Sequence, residues 1–216
     1  VVRGGRVVAA GTGVAVPAGV QTIDGAGSWG TPGLVASVTS LGLWDVGAVS
    51  ESNDTSAGNS PFSAALDAAP AINPNSQHIL VHRAAGVTRA ASVTMPASSI
   101  FGGQGSIIDL GADMNPITRA RAFQVVTLGE SGARLAGGSR ASTHALFRNA
   151  LREANQFGED GQIPGVASRP AEQSTGDDLP IDPRLADNQT QRGDDSLLTR
   201  FDAAALVPVV RGEQQL

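Results

Sequence analysis

Glycine and proline cut this chain into short apolar runs, and that punctuation limits what it can fold into. There are 27 Gly and 12 Pro among 216 residues. Near the start, Arg6–Ala10 stops at Gly11-Thr-Gly13, Val14–Val16 at Pro17-Ala-Gly19, and Val20–Ile23 at Asp24-Gly25. Runs this short are too brief for helices and suit strands joined by turns. Residues 1–31 are therefore expected to form a small antiparallel β unit, one part of a β-sandwich.

Beyond residue 32 the pattern mixes two periods. Short apolar runs over 33–38, His78–His82 and Gly86–Thr94 read as strands, all three expected to lie parallel. Ile107–Leu110 reads as another short strand. Residues 51–61 and Gly102–Gly105 read as loops, Asn73-Pro-Asn-Ser76 as a turn, and Phe62–Ala69 as a short helix stopped by Pro70. Phe147, Ala150, Leu151, Ala154 and Phe157 recur at helical spacing. They predict a helix over 140–157, capped by Ser139 or Ser142 and ended at Gly158. His144 falls on that apolar face and reads as a packing residue. Residues 159–195 are polar and rich in Pro, Gly and Asp, which predicts a surface insertion. Leu197–Leu206 reads as a helix and Val207–Arg211 as the next strand. Strand-like sequence at Val1 and again at Val207–Leu216 creates the expectation that the polypeptide continues past both ends. The order of signals describes an α/β domain at 32–216 behind the β unit.

Charge and composition exclude several function classes. The net charge is −5 and the 15 basic residues, all Arg, form no cluster, so no nucleic-acid footprint is expected. Without Lys there is no Schiff-base or carboxylated-lysine chemistry. Without Cys there are no disulfides and no thiolate metal sites. No apolar run approaches the roughly 20 residues of a membrane span. Gly102-Gly-Gln-Gly105 lacks the Lys and Ser/Thr of a phosphate-binding loop.

Three segments in order carry a resemblance: Gly5-Arg-Val-Val-Ala-Ala-Gly11, Ile23-Asp-Gly-Ala-Gly27 and Thr31-Pro-Gly-Leu-Val35. Together they resemble the opening of the amidohydrolase superfamily, in particular members related to imidazolonepropionase. Asn73-Pro-Asn-Ser76, Gly86-Val-Thr-Arg89, and Ser99–Gly105 with Ile108-Asp-Leu110 extend the likeness to about residue 155. The resemblance implies part of a (β/α)8 barrel with a small β-sandwich, and an active site at the C-terminal strand ends. It also implies two His on the first barrel strand holding zinc or another divalent metal, which activates a water. Here the corresponding stretch is Pro32-Gly-Leu-Val-Ala-Ser-Val-Thr-Ser40. Ala36 stands where the family has Asp, and Val38 and Ser40 stand where it has the two His. Valine has no donor atom, and a neutral hydroxyl is a poor ligand beside imidazole. No metal is expected in this half, although the complete protein has room for one on later strands.

Other donors are scarce. As a strand, 78–82 would hold His78 and His82 ~13 Å apart, too far for one metal, whereas a helix would bring them together. Asp45, Glu51 and Asp54 follow the first barrel strand, where a cleft lining or a solvated loop is expected. Gln104, between glycines, suggests a close backbone approach. Two functions follow from the resemblance. The chain is a non-catalytic barrel, the scaffold partner of an active paralogue; or it is a metal-dependent hydrolase of non-peptide carbon–nitrogen bonds with ligands from elsewhere. Expected partners are the C-terminal remainder or a second chain, in a homo- or hetero-oligomer. The resemblance implies a periplasmic or secreted location.

Overall fold

A computed structural model describes residues 1–111, 114–161 and 198–216. It divides into two units, Val1–Pro32 and Gly33–Leu216. The polar segment expected at 159–195 lies, from residue 162 on, outside the described residues.

In the first unit, β1 (Val2–Arg3) and β2 (Arg6–Val7) form an antiparallel hairpin, pairing Val2 with Val7 and Arg3 with Arg6. Gly4 and Gly5 both have positive φ, as a tight two-residue hairpin turn requires. The strands expected over Val14–Val16 and Val20–Ile23 do not form. Their side chains are mostly exposed, so nothing there rewards pairing.

The second unit is built on a mixed sheet in the order β3 (Leu34–Thr39), β4 (Val87–Ser92), β5 (Phe101–Asp109), β6 (Ile117–Val126). β3 and β4 are parallel, as the sequence predicts, and β5 and β6 follow antiparallel. A parallel pair needs a crossover, and α1 (Gln77–Ala84) supplies it. The strand expected over His78–His82 is therefore a helix. Only Ile79 of this helix is fully buried, and it enters a core with Leu41, Leu43, Ile72, Ala90, Ile108 and Leu110. Gly102–Gly105, expected as a loop, lies inside β5. The helix expected over Phe62–Ala69 is absent, with a single 3₁₀ turn at Ala69–Ala71.

A second core joins Phe101 and Ile100 to α3 (Arg140–Asp160) and α4 (Arg200–Val210), through Ala150, Ala154, Ala203 and Leu206. A short α2 (Glu130–Leu135) precedes α3. The long helix follows its expected face, with Phe147 and Phe157 packed on this core. His144, however, is exposed. The helix ends not at Gly158 but at Gly161, whose φ of 70° makes the left-handed stop. Gly158 lies against α4, where an added Cβ would sit 3.3 Å from Val207. Helix α4 runs on through Pro208, so the strand expected at Val207–Arg211 is helical. Among the described residues no helix is long and apolar enough to cross a membrane.

Ser139 caps α3 by accepting a hydrogen bond from the Ser142 amide at 3.3 Å. Ser139→Ala is expected to cost about 1 kcal/mol of stability, measured by urea denaturation.

Candidate functional site

The C-terminal end of β3 leads into a loop that the fold holds firmly. Thr39 Oγ1 donates to Ala91 O at 3.0 Å, and Ser92 Oγ donates to Leu41 O at 2.7 Å, tying the β3 exit to β4. Gly42 then turns at φ 85°; a Cβ there would sit 2.8 Å from Ile72. Leu41 and Leu43 are buried by that turn.

From Trp44 the chain loops out and returns at Asn53. A β-bridge pairs Trp44 with Asn53, and the amide of Asp54 donates to Leu43 O at 2.7 Å. Inside the loop, Ser52 Oγ donates to Val46 O at 3.3 Å and Val49 O at 3.0 Å. Ala48 adopts φ 67°, unusual for a residue with a Cβ. The Trp44 indole stacks on the His78 ring, centroids 3.9 Å apart and planes 25° apart. The loop borders an open surface depression of about 280 Å³ lined by Trp44, Val46, Gly47, Ala48, Val49, Ser50 and Asn53, all but Trp44 exposed.

Asp45, Glu51 and Asp54, for which a cleft lining or a solvated loop is expected, lie on or just after this loop and are not among the residues that line the depression. Asp45 Oδ1 accepts from the Gln77 amide at 2.9 Å, capping the first turn of α1. Glu51 is exposed and accepts from Ser50 Oγ at 3.1 Å. Asp54 is exposed. Gln104 sits in β5, where its backbone makes two bonds to a passing loop segment, bridged at Asp67: its amide to Leu66 O at 2.7 Å, and the Ala68 amide to its carbonyl at 3.1 Å. The sequence reading names Asp45, Glu51 and Asp54 in this loop but not Trp44, one of only two tryptophans.

The two positions that the resemblance assigns to metal ligands carry side chains unsuited to one. Val38 offers only methyl groups, and Ser40, just past β3, only a neutral hydroxyl. His78 and His82 lie on α1, where His82 Nδ1 is 2.7 Å from His78 O, so that ring nitrogen is already engaged.

No family model matches the chain, and no curated protein matches it. Among solved structures it is similar to an amidohydrolase from Thermotoga maritima, with a TM-score of 0.58 and 19% identity. The match covers 84% of this chain and 43% of that one. At this identity the likeness speaks for the fold alone: the chain has an amidohydrolase-like fold and spans less than half the length of that structure.

Proposed function

We propose that this chain is a non-catalytic, amidohydrolase-like scaffold, part of a (β/α)8 barrel that associates with further polypeptide rather than hydrolysing a substrate itself. The carrying observation is the state of β3. Among the described residues it is the edge strand of its sheet, and Leu34, Val35 and Val38 are 62, 70 and 61% exposed. The strand has no charge and no proline. Stable monomers usually blunt such edges with lysine, proline or a covering element, because bare strands recruit others. An open apolar edge suits a strand arriving from the remainder of the polypeptide or from an amidohydrolase paralogue. The same strand carries Val38 and leads to Ser40, so the element that would anchor a hydrolytic metal is adapted for pairing. The resemblance adds a periplasmic or secreted location to this proposal.

The test is metal content by elemental analysis, on the native chain and on the double variant Val38→His, Ser40→His. The native chain is expected to hold far less than one zinc per molecule after dialysis, and the double variant to retain zinc. Stoichiometric zinc in the native chain, lost on Ser40→Ala, would overturn this reading and favour a metal-dependent hydrolase of non-peptide carbon–nitrogen bonds.

A further inference from the structure

We propose that the exposed face of α3 is a docking surface for an acidic helix of a partner polypeptide. Arg140, His144, Arg148 and Arg152 stand four residues apart, and all four are exposed. Four-residue spacing keeps them on one side of the helix, so the fold gathers into a stripe basic residues that the sequence scatters. At about 1.5 Å per residue the stripe is about 18 Å long. Nothing on the helix neutralises it. The acidic residues of α3 are Glu153, which is fully buried, and Glu159 and Asp160 in the last turn. Ion pairs elsewhere join Arg89 to Asp109, Arg121 to Asp67 and Arg134 to Glu130, whereas among the described residues none joins the stripe. Arg148 and Arg152 donate to His144 O and Asn149 Oδ1, which carry no charge.

The arrangement also runs against the helix's own dipole. A helix is positive at its N-terminus and negative at its C-terminus, so acids suit the first turn and bases the last. Helix α3 has no acid in its first turn and no base in its last; Arg140 opens it, and Glu159 and Asp160 stand at its end. A local preference broken with no compensating ion pair inside the fold points to a contact outside it. The same pattern selects the partner. A helix with acids at four-residue spacing, followed by a base to meet Glu159, complements the stripe along its whole length. A nucleic acid fits less well, because its phosphates would run on past the stripe onto Glu159, and the chain's net charge of −5 repels a polyanion. The scaffold reading calls for a partner, and the stripe adds that partner's chemistry. Zinc content tests the first and peptide binding the second, so either can fail alone.

The test titrates the whole chain against a labelled helical peptide carrying Glu at four-residue intervals, its Gln counterpart and a short DNA duplex, read by fluorescence anisotropy at low salt. The Glu peptide is expected to bind at least about tenfold more tightly than the Gln peptide, more tightly than the duplex, and more weakly as salt shortens the Debye length below ~10 Å. Arg148→Glu combined with Arg152→Glu should lower its affinity at least about tenfold. Arg119→Glu, an exposed position on β6, should leave it unchanged. Arg140→Glu should weaken the peptide while raising the thermal midpoint by about 1–3 °C, because an acid there suits the helix dipole. Equal binding of the Glu and Gln peptides, tighter binding of the duplex, an affinity unmoved by the double reversal, or a midpoint lowered by Arg140→Glu would each overturn the proposal.

Discussion

Asp202→Ala is expected to lower the unfolding free energy by about 3–4 kcal/mol, because each buried amide left unpaired costs about 1–3 kcal/mol. Asp202 is buried in the first turn of α4. Its Oδ1 accepts from the amides of Ser63 and Ala65, both at 2.8 Å. Its Oδ2 accepts from Thr199 Oγ1 at 2.8 Å, and Thr199 Oγ1 in turn accepts from the Asp202 amide at 3.1 Å. The reciprocal pair with Thr199 is a helix cap. The two outward bonds fasten a loop nearly 140 positions earlier in sequence. Phe62 and Phe201 meet edge to face at 5.4 Å across the same joint. Removing the carboxylate strands two loop amides and weakens the cap together. Asp202→Asn keeps an acceptor at Oδ1 and is expected to lose about half as much. Urea denaturation at 25 °C measures both. A loss under about 1 kcal/mol in Asp202→Ala would mean that water replaces the carboxylate and the joint is not buried.

That joint shows what a single sequence conceals. Thr199 and Asp202 are legible together as a local cap, whereas nothing near Asp202 points to Ser63 and Ala65. The same contrast explains α1. Ile79-Leu-Val81 favours a strand locally, and the sequence predicts one. The helix forms because Asp45, 32 positions earlier, caps Gln77, and because a parallel β3–β4 pair requires a crossover. Leu80 and Val81 stay exposed, so their β-propensity decides nothing. Local pattern reads α3 by its recurring apolar face and β3 and β4 by apolar runs between glycines and prolines, while the same kind of run at Val14–Val16 and Val20–Ile23 gives no strand. Val38 and Ser40 stand out in the sequence only against the motif that the resemblance implies. The Trp44 depression is not legible, because it depends on the loop closing between Trp44 and Asn53 and on His78 arriving from α1.

Glycines are the other source of error, and Gly105 supplies the second large effect. Gly102-Gly-Gln-Gly105 suggests a turn, yet these residues lie within a paired strand of the sheet. The reason is close approach rather than backbone freedom. Gly105 pairs with Phe123 across the β5–β6 ladder, and the Phe123 ring lies where a Cβ would be, 2.2 Å away at its nearest carbon. An aromatic laid over a cross-strand glycine fills the space that the missing side chain leaves. Gly105→Ala is therefore expected to cost about 2–3 kcal/mol, by pushing the ring off its rotamer or parting the strands. The obstacle is a side chain, so it can be removed. Combined with Phe123→Leu, the two losses should fall short of their sum by at least about 1 kcal/mol in a double-mutant cycle. Gly103 is the control. There a Cβ would meet the Leu66 backbone at 2.7 Å and the residue has φ 93°, so Gly103→Ala should destabilise with no rescue from Phe123→Leu. If Gly105→Ala and Phe123→Leu instead add within about 0.5 kcal/mol, the ring does not cover this glycine. Their coupling, alongside an uncoupled Gly103, would show that two glycines a pair of residues apart serve one strand for different reasons: one makes room for a ring, the other for a backbone.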